Sequence, residues 1–100
     1  MYIIREVFTA KPGQASKLAK LFKRAFPADP DTVVMTDMAG DYNTVVVETR
    51  VKSLAEFEKQ MQDYKSGKPD PAMDPKVAEE MSKYTEMYLT GRREIFQIVE

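Results

Sequence analysis

Thr32-Val-Val-Met-Thr-Asp-Met-Ala-Gly40-Asp-Tyr-Asn-Thr44-Val-Val-Val-Glu-Thr-Arg-Val51 is the stretch on which the fold turns. Two runs rich in β-branched residues, Thr32 to Ala39 and Thr44 to Val51, read as strands. Between them Gly40-Asp41-Tyr42-Asn43 supplies turn formers, so the pair is expected to close as an antiparallel hairpin. Side chains alternate across a strand. In the second run Val45, Val47 and Val51, with Thr49, therefore share one face, and Thr44, Val46, Glu48 and Arg50 share the other. The valine set is expected to meet helices, and the mixed set to lie on an open face.

Upstream, Tyr2 to Thr9 reads as a strand that ends at Lys11-Pro12-Gly13. From Gln14 to Phe26 the apolar positions 15, 18, 19, 22, 25 and 26 fall within one arc of a helix. Lys17, Lys20, Lys23 and Arg24 occupy the opposite arc. Downstream, Ser53-Leu-Ala-Glu56 is a capping box opening a helix with Leu54, Phe57, Met61 and Tyr64 on one side. Lys65 to Asp74 holds one Gly and two Pro and is expected to be an exposed loop that can act as a lid. Asp74-Pro75 has the form of a helix start. Val77, Met81, Tyr84 and Tyr88 continue as a helical stripe that Gly91 can close, leaving Glu94 to Val99 as the last strand. The resulting order, β-α-β-β-α-(α)-β, predicts a single α+β domain over residues 1–100. Its architecture is ferredoxin-like, a four-stranded antiparallel sheet with helices on one side.

Composition narrows the chemistry. The 100 residues include no His, Cys or Trp. Thiolate nucleophiles, disulfides, Cys-held zinc and iron–sulfur clusters are excluded, as is the side chain that titrates nearest pH 7. No calcium loop or phosphate-binding glycine loop is present, so no metal and no cofactor is expected. Net charge is −1 overall. Residues 1–26 carry six basic side chains against one acid, and the remainder nine against fifteen. The basic helix arc lacks interleaved aromatics, and no nucleic-acid partner is expected. No apolar run approaches the roughly 20 residues that span a bilayer, and charges interrupt the opening segment where a signal peptide has its apolar core. A cytoplasmic protein with no membrane partner is the expectation.

Helices cover one face of such a sheet and leave the other. In the first and last strands both alternations mix apolar and charged residues, so their faces stay unassigned. A face of that kind over four strands is too apolar to be left wet. The economical reading is a homodimer whose sheets face each other around a partly polar cavity.

The opening Tyr2-Ile-Ile-Arg5-Glu6 followed by Lys11-Pro12-Gly13 resembles that of NIPSNAP-type domains. The hairpin with Gly40, then Ser53-Leu54-Ala55, and the ending Gly91-Arg-Arg-Glu-Ile-Phe96 resemble the same family. The likeness spans nearly the whole chain. It implies membership of the dimeric α/β barrels, a superfamily that includes the antibiotic-biosynthesis monooxygenases, and hence a sheet-to-sheet dimer with a cavity. It implies no settled activity. Haem-degrading and chlorite-dismutase-like members hold haem through a His, which this sequence lacks. Where family members often have an aromatic residue, commonly Trp, near the end of strand three, this chain has Glu48-Thr-Arg50-Val.

Candidate pocket residues are Arg5, Glu48, Arg50, Arg93, Tyr84 and Tyr88. Glu48 and Arg50, two apart on one face, can orient a substrate, or simply form a structural ion pair. Arg5, Arg92 and Arg93 can hold a carboxylate or phosphate in a planar fork, or serve as surface salt bridges. Tyr84, Met87 and Tyr88, with Met73 and Met81, can line an apolar pocket beneath the loop or belong to the core. Three functions are compatible with these residues. The first is a small-molecule-binding or structural homodimer. The second is a cofactor-independent monooxygenase or isomerase acting on a small aromatic or polyketide-like substrate. The third is a protein-interaction module using the basic helix.

Overall fold

A computed structural model describes residues 1–26, 29–66 and 74–100. Four strands form one antiparallel sheet: β1 (Tyr2–Ala10), β2 (Thr32–Thr36), β3 (Thr44–Val51) and β4 (Tyr88–Gln97). Their order is β2-β3-β1-β4, so the first strand sits inside and the last forms an edge. Helices α1 (Ala15–Ala25), α2 (Leu54–Lys65) and α3 (Pro75–Met81) complete the α+β, ferredoxin-like arrangement. The expected element order holds throughout.

Register assigns the faces. Phe8 stands opposite Val45 on β3 and Gly91 on β4, and Ile4 opposite Thr49 and Ile95. Together with Val47, Val51 and Val34 these residues form the helix-covered face. Leu18 and Phe22 of α1 pack there against Ala10, Val45 and Val47. Leu21 and Ala25, one step round the same helix, meet Val77 of α3. The valine set of β3 thus faces helices, as its alternation requires. The other face carries Ile3, Arg5, Val7 and Thr9 of β1, with Val46, Glu48 and Arg50 of β3 and Arg92, Glu94 and Phe96 of β4.

Both expected helix starts form, the first through the Ser53 half of its capping box. Ser53 Oγ accepts from the Glu56 amide at 3.1 Å, and Asp74 Oδ1 accepts from the Lys76 amide at 2.8 Å with Pro75 next in line. Each cap satisfies a backbone donor that the helix itself cannot. The expected lid, Lys65 to Asp74, falls largely on 67–73, outside the described residues.

Two boundaries differ from expectation by more than two residues. The hairpin's first strand stops at Thr36, because the Asp37 carboxylate takes the Thr44 amide at 3.0 Å and starts the turn. Tyr42 and Asn43 complete that turn with φ of 65° and 56°, a conformation an extended strand cannot contain. The second correction is larger. The helical stripe through Tyr84 and Tyr88 breaks after Met81; Tyr84–Glu86 is a 3₁₀ turn, and Tyr88 already belongs to β4. Strand pairing outweighs helical periodicity here: β4 pairs along the whole of β1, from Tyr2↔Gln97 to Ala10↔Tyr88. Gly91 therefore closes no helix. It lies mid-strand beneath the Phe8 ring, where an added Cβ would come within 3.1 Å of a ring carbon.

Gly91→Val is expected to lower stability by about 1–3 kcal/mol through overpacking, read as a lower urea midpoint. In a double-mutant cycle the cost should shrink when Phe8 is also leucine; strictly additive effects would show that the ring is not the obstacle.

Candidate functional site

Register brings three of the six candidate residues to the uncovered face and sends three to the other. Arg5 lies on inner strand β1, directly between Glu48 of β3 and Glu94 of β4. Its Nε is 3.5 Å from Glu48 Oε2 and its Nη1 is 3.7 Å from Glu94 Oε1. Arg92 Nε closes the row, 3.1 Å from Glu94 Oε2. The Arg5 Nε is shielded from water yet makes no hydrogen bond. Arg50 shares this face opposite Ile3, is exposed, and forms no ion pair among the described residues. Around the row sit apolar neighbours, with Val7 and Val46 buried among the side chains and Val33 and Phe96 half exposed, at 50% and 49%.

Glu94 and Arg92 complete the cluster, and Glu94 was not singled out by sequence. The signal lay in the pairing: once Arg5 is inside the sheet it has two cross-strand partners, and only the β4 register names the second.

Arg93, Tyr84 and Tyr88 lie on the helix side. Arg93 donates through Nε to Glu6 at 2.5 Å, and its guanidinium stands 5.2 Å from the centroid of the Phe57 ring of α2. It fastens α2 to the sheet through a cross-strand pair and a cation–π contact. Tyr84 and Tyr88 join Phe8 and Phe22 in an aromatic cluster, with Phe8–Tyr88 centroids 4.9 Å apart and Phe22–Tyr84 5.7 Å apart. The core reading of this stripe describes both tyrosines; Met73 is outside the described residues.

Two open grooves flank α1. One, about 820 Å³, runs between α1 and the turn of the β2–β3 hairpin, lined by Ala15, Ala19, Val34, Asp37, Tyr42 and Asn43 among others. The small alanines leave the width, and the left-handed Tyr42 and Asn43 shape the far wall. Its volume suits a small organic molecule. The other, about 740 Å³, lies between α1 and the segment from α3 to β4. Sequence reasoning missed both, because neither wall is contiguous in the chain. Two non-glycine residues with positive φ are visible only in three dimensions.

No family model and no curated protein matches the sequence. Solved structures do match its fold. A NIPSNAP family protein of Agrobacterium tumefaciens is 10% identical, with a TM-score of 0.74 over 99% of this chain and 86% of that one. An uncharacterised NIPSNAP-like domain protein of Burkholderia xenovorans is 16% identical, with a TM-score of 0.72 over 98% and 84%. SnoaB, a cofactor-independent oxygenase of Streptomyces nogalater, is 15% identical, with a TM-score of 0.61 over 99% and 93%. The strand order, the helix-covered face and these superpositions lead to one conclusion: the chain has the ferredoxin-like fold of the NIPSNAP and antibiotic-biosynthesis-monooxygenase-like proteins.

Proposed function

We propose that the protein is a homodimeric small-molecule-binding barrel in which the uncovered sheet faces of two copies meet. The observation that carries this reading is the uncovered face itself, where Val33 and Phe96 stand half exposed around an ion-pair row whose central Nε lacks an acceptor. A second copy would remove the apolar side chains from water and bring a new set of carboxylates to the row. The size is adequate but not generous. Four strands spaced about 4.8 Å apart and averaging about 26 Å in length project to roughly 500 Å². Two such faces bury about 1,000 Å², near the lower bound for a specific interface.

Binding is favoured over acid–base catalysis by the state of the carboxylates. Glu48 and Glu94 are engaged by arginines, Glu6 by Arg93, and Asp37 by the Thr44 amide. A carboxylate already held by an arginine or a backbone amide has a structural role. The groove beside the hairpin turn, with Asn43 and Tyr42 on its wall, supplies room for an uncharged or aromatic ligand.

Native mass spectrometry of the purified protein tests both parts at once. The expected species has twice the 11.4 kDa chain mass and retains a small organic adduct. A monomer at tens of micromolar would overturn the dimer. Phe96→Lys places an uncompensated charge on the face and should weaken self-association at least tenfold while leaving the far-UV circular dichroism unchanged. Asn43→Ala should lower adduct occupancy without changing the mass of the assembly; undiminished occupancy would move the ligand elsewhere.

A further inference from the structure

The groove between α1 and the α3–β4 segment has a composition unlike the first. Its floor is apolar, the half-buried Met87 over the buried Leu21, and its rim is cationic, with Lys17, Lys20 and Lys23 from α1 and Lys83 from the chain that follows α3. Arg24 on the same rim is already neutralised by Glu80. The four lysines form no ion pair among the described residues, and Glu86 is the one other acid in the lining. A solvated helix face accounts for the α1 lysines alone. It does not account for a fifth cation, Lys83, converging from another element on the same apolar trough.

We propose that this groove binds a medium-chain monocarboxylate. The alkyl tail lies along the adaptable Met87 thioether and the methylene stems of the lysines. The carboxylate sits among the ammonium groups of the rim, where it replaces mutual lysine repulsion with attraction. The volume of about 740 Å³ accommodates an alkyl chain of this length, and the open side admits it without rearrangement of α1. This site lies across α1 from the hairpin-side groove, with which it shares Lys20 and Lys23, and away from the uncovered sheet face.

Calorimetric titration with decanoate, below its micelle concentration, provides the test, with decanol as the uncharged control. One saturable site is expected for decanoate, with decanol at least tenfold weaker. The exposed pair Lys17→Glu and Lys83→Glu, combined in one variant with unchanged circular dichroism, should weaken decanoate at least tenfold. Raising the salt to 0.5 M, where the screening length is about 4 Å, should weaken it as well. Absence of saturation, equal binding by the variant, or equal binding of decanol would overturn the proposal. So would attachment to anionic phosphatidylglycerol vesicles without saturable binding of free decanoate. The Phe96→Lys variant should keep decanoate binding intact, so failure of the dimer and failure of this site are read separately.

Discussion

The register of β1 between its two neighbours is the constraint on which the rest depends. Consecutive residues of β1 carry opposite charges and meet opposite partners on β4, Arg5↔Glu94 on the uncovered face and Glu6↔Arg93 beneath the helices. A slip of one residue in one direction would set Arg5 against Arg93, and in the other Glu6 against Glu94. On β3, a slip of two would set Arg5 against Arg50. Each partly exposed pair contributes only about 0.2–1 kcal/mol. The larger effect is on the alternatives, because a one-residue slip also turns Phe8 and Ile4 out of the core. Stability comes from buried valines, Leu18 and the aromatic cluster; the charges decide which stability is reached.

That register then distributes the chemistry. It leaves one face with a charged row set among apolar side chains, and gives the other to α1 and α2. Helix α1 divides the helix side into two grooves of contrasting character, one walled by alanines and amide-bearing turn residues, the other by lysine stems over Leu21. Lys20 and Lys23 border both. One short helix thereby divides a recess of mixed charge from a more strongly cationic one, with Lys20 and Lys23 on the shared ridge.

The hairpin, both helix caps and the two faces of β3 were legible because each rests on local signals. Val45, Val47 and Val51 alternate cleanly, and Ser53 and Asp74 sit at fixed offsets from the amides they cap. β1 and β4 were not legible in the same way, since each alternation there contains both apolar and charged residues. Phe8 and Arg5 are assigned only by their partners across the sheet. Tyr84 and Tyr88 misled for a related reason. They do stack together, but from a 3₁₀ turn and a strand rather than from one helix. Of the candidate pocket, Arg5, Glu48 and Arg50 share a face, whereas Arg93 and the tyrosines are placed by packing that no linear spacing encodes.

The pair between Glu6 and Arg93 joins positions 87 apart in the chain. During synthesis β1 is made well before β4, its second neighbour. Until then the Phe8 ring lacks Tyr84 and Tyr88, and one edge of β1 has unpaired amides. Loop closure over such a distance must precede the contacts that reward it, which slows folding relative to locally wired domains. The nascent chain therefore carries an open β edge until β4 is made, and the alternating charges of Arg5 and Glu6 guard that edge against pairing with the wrong strand.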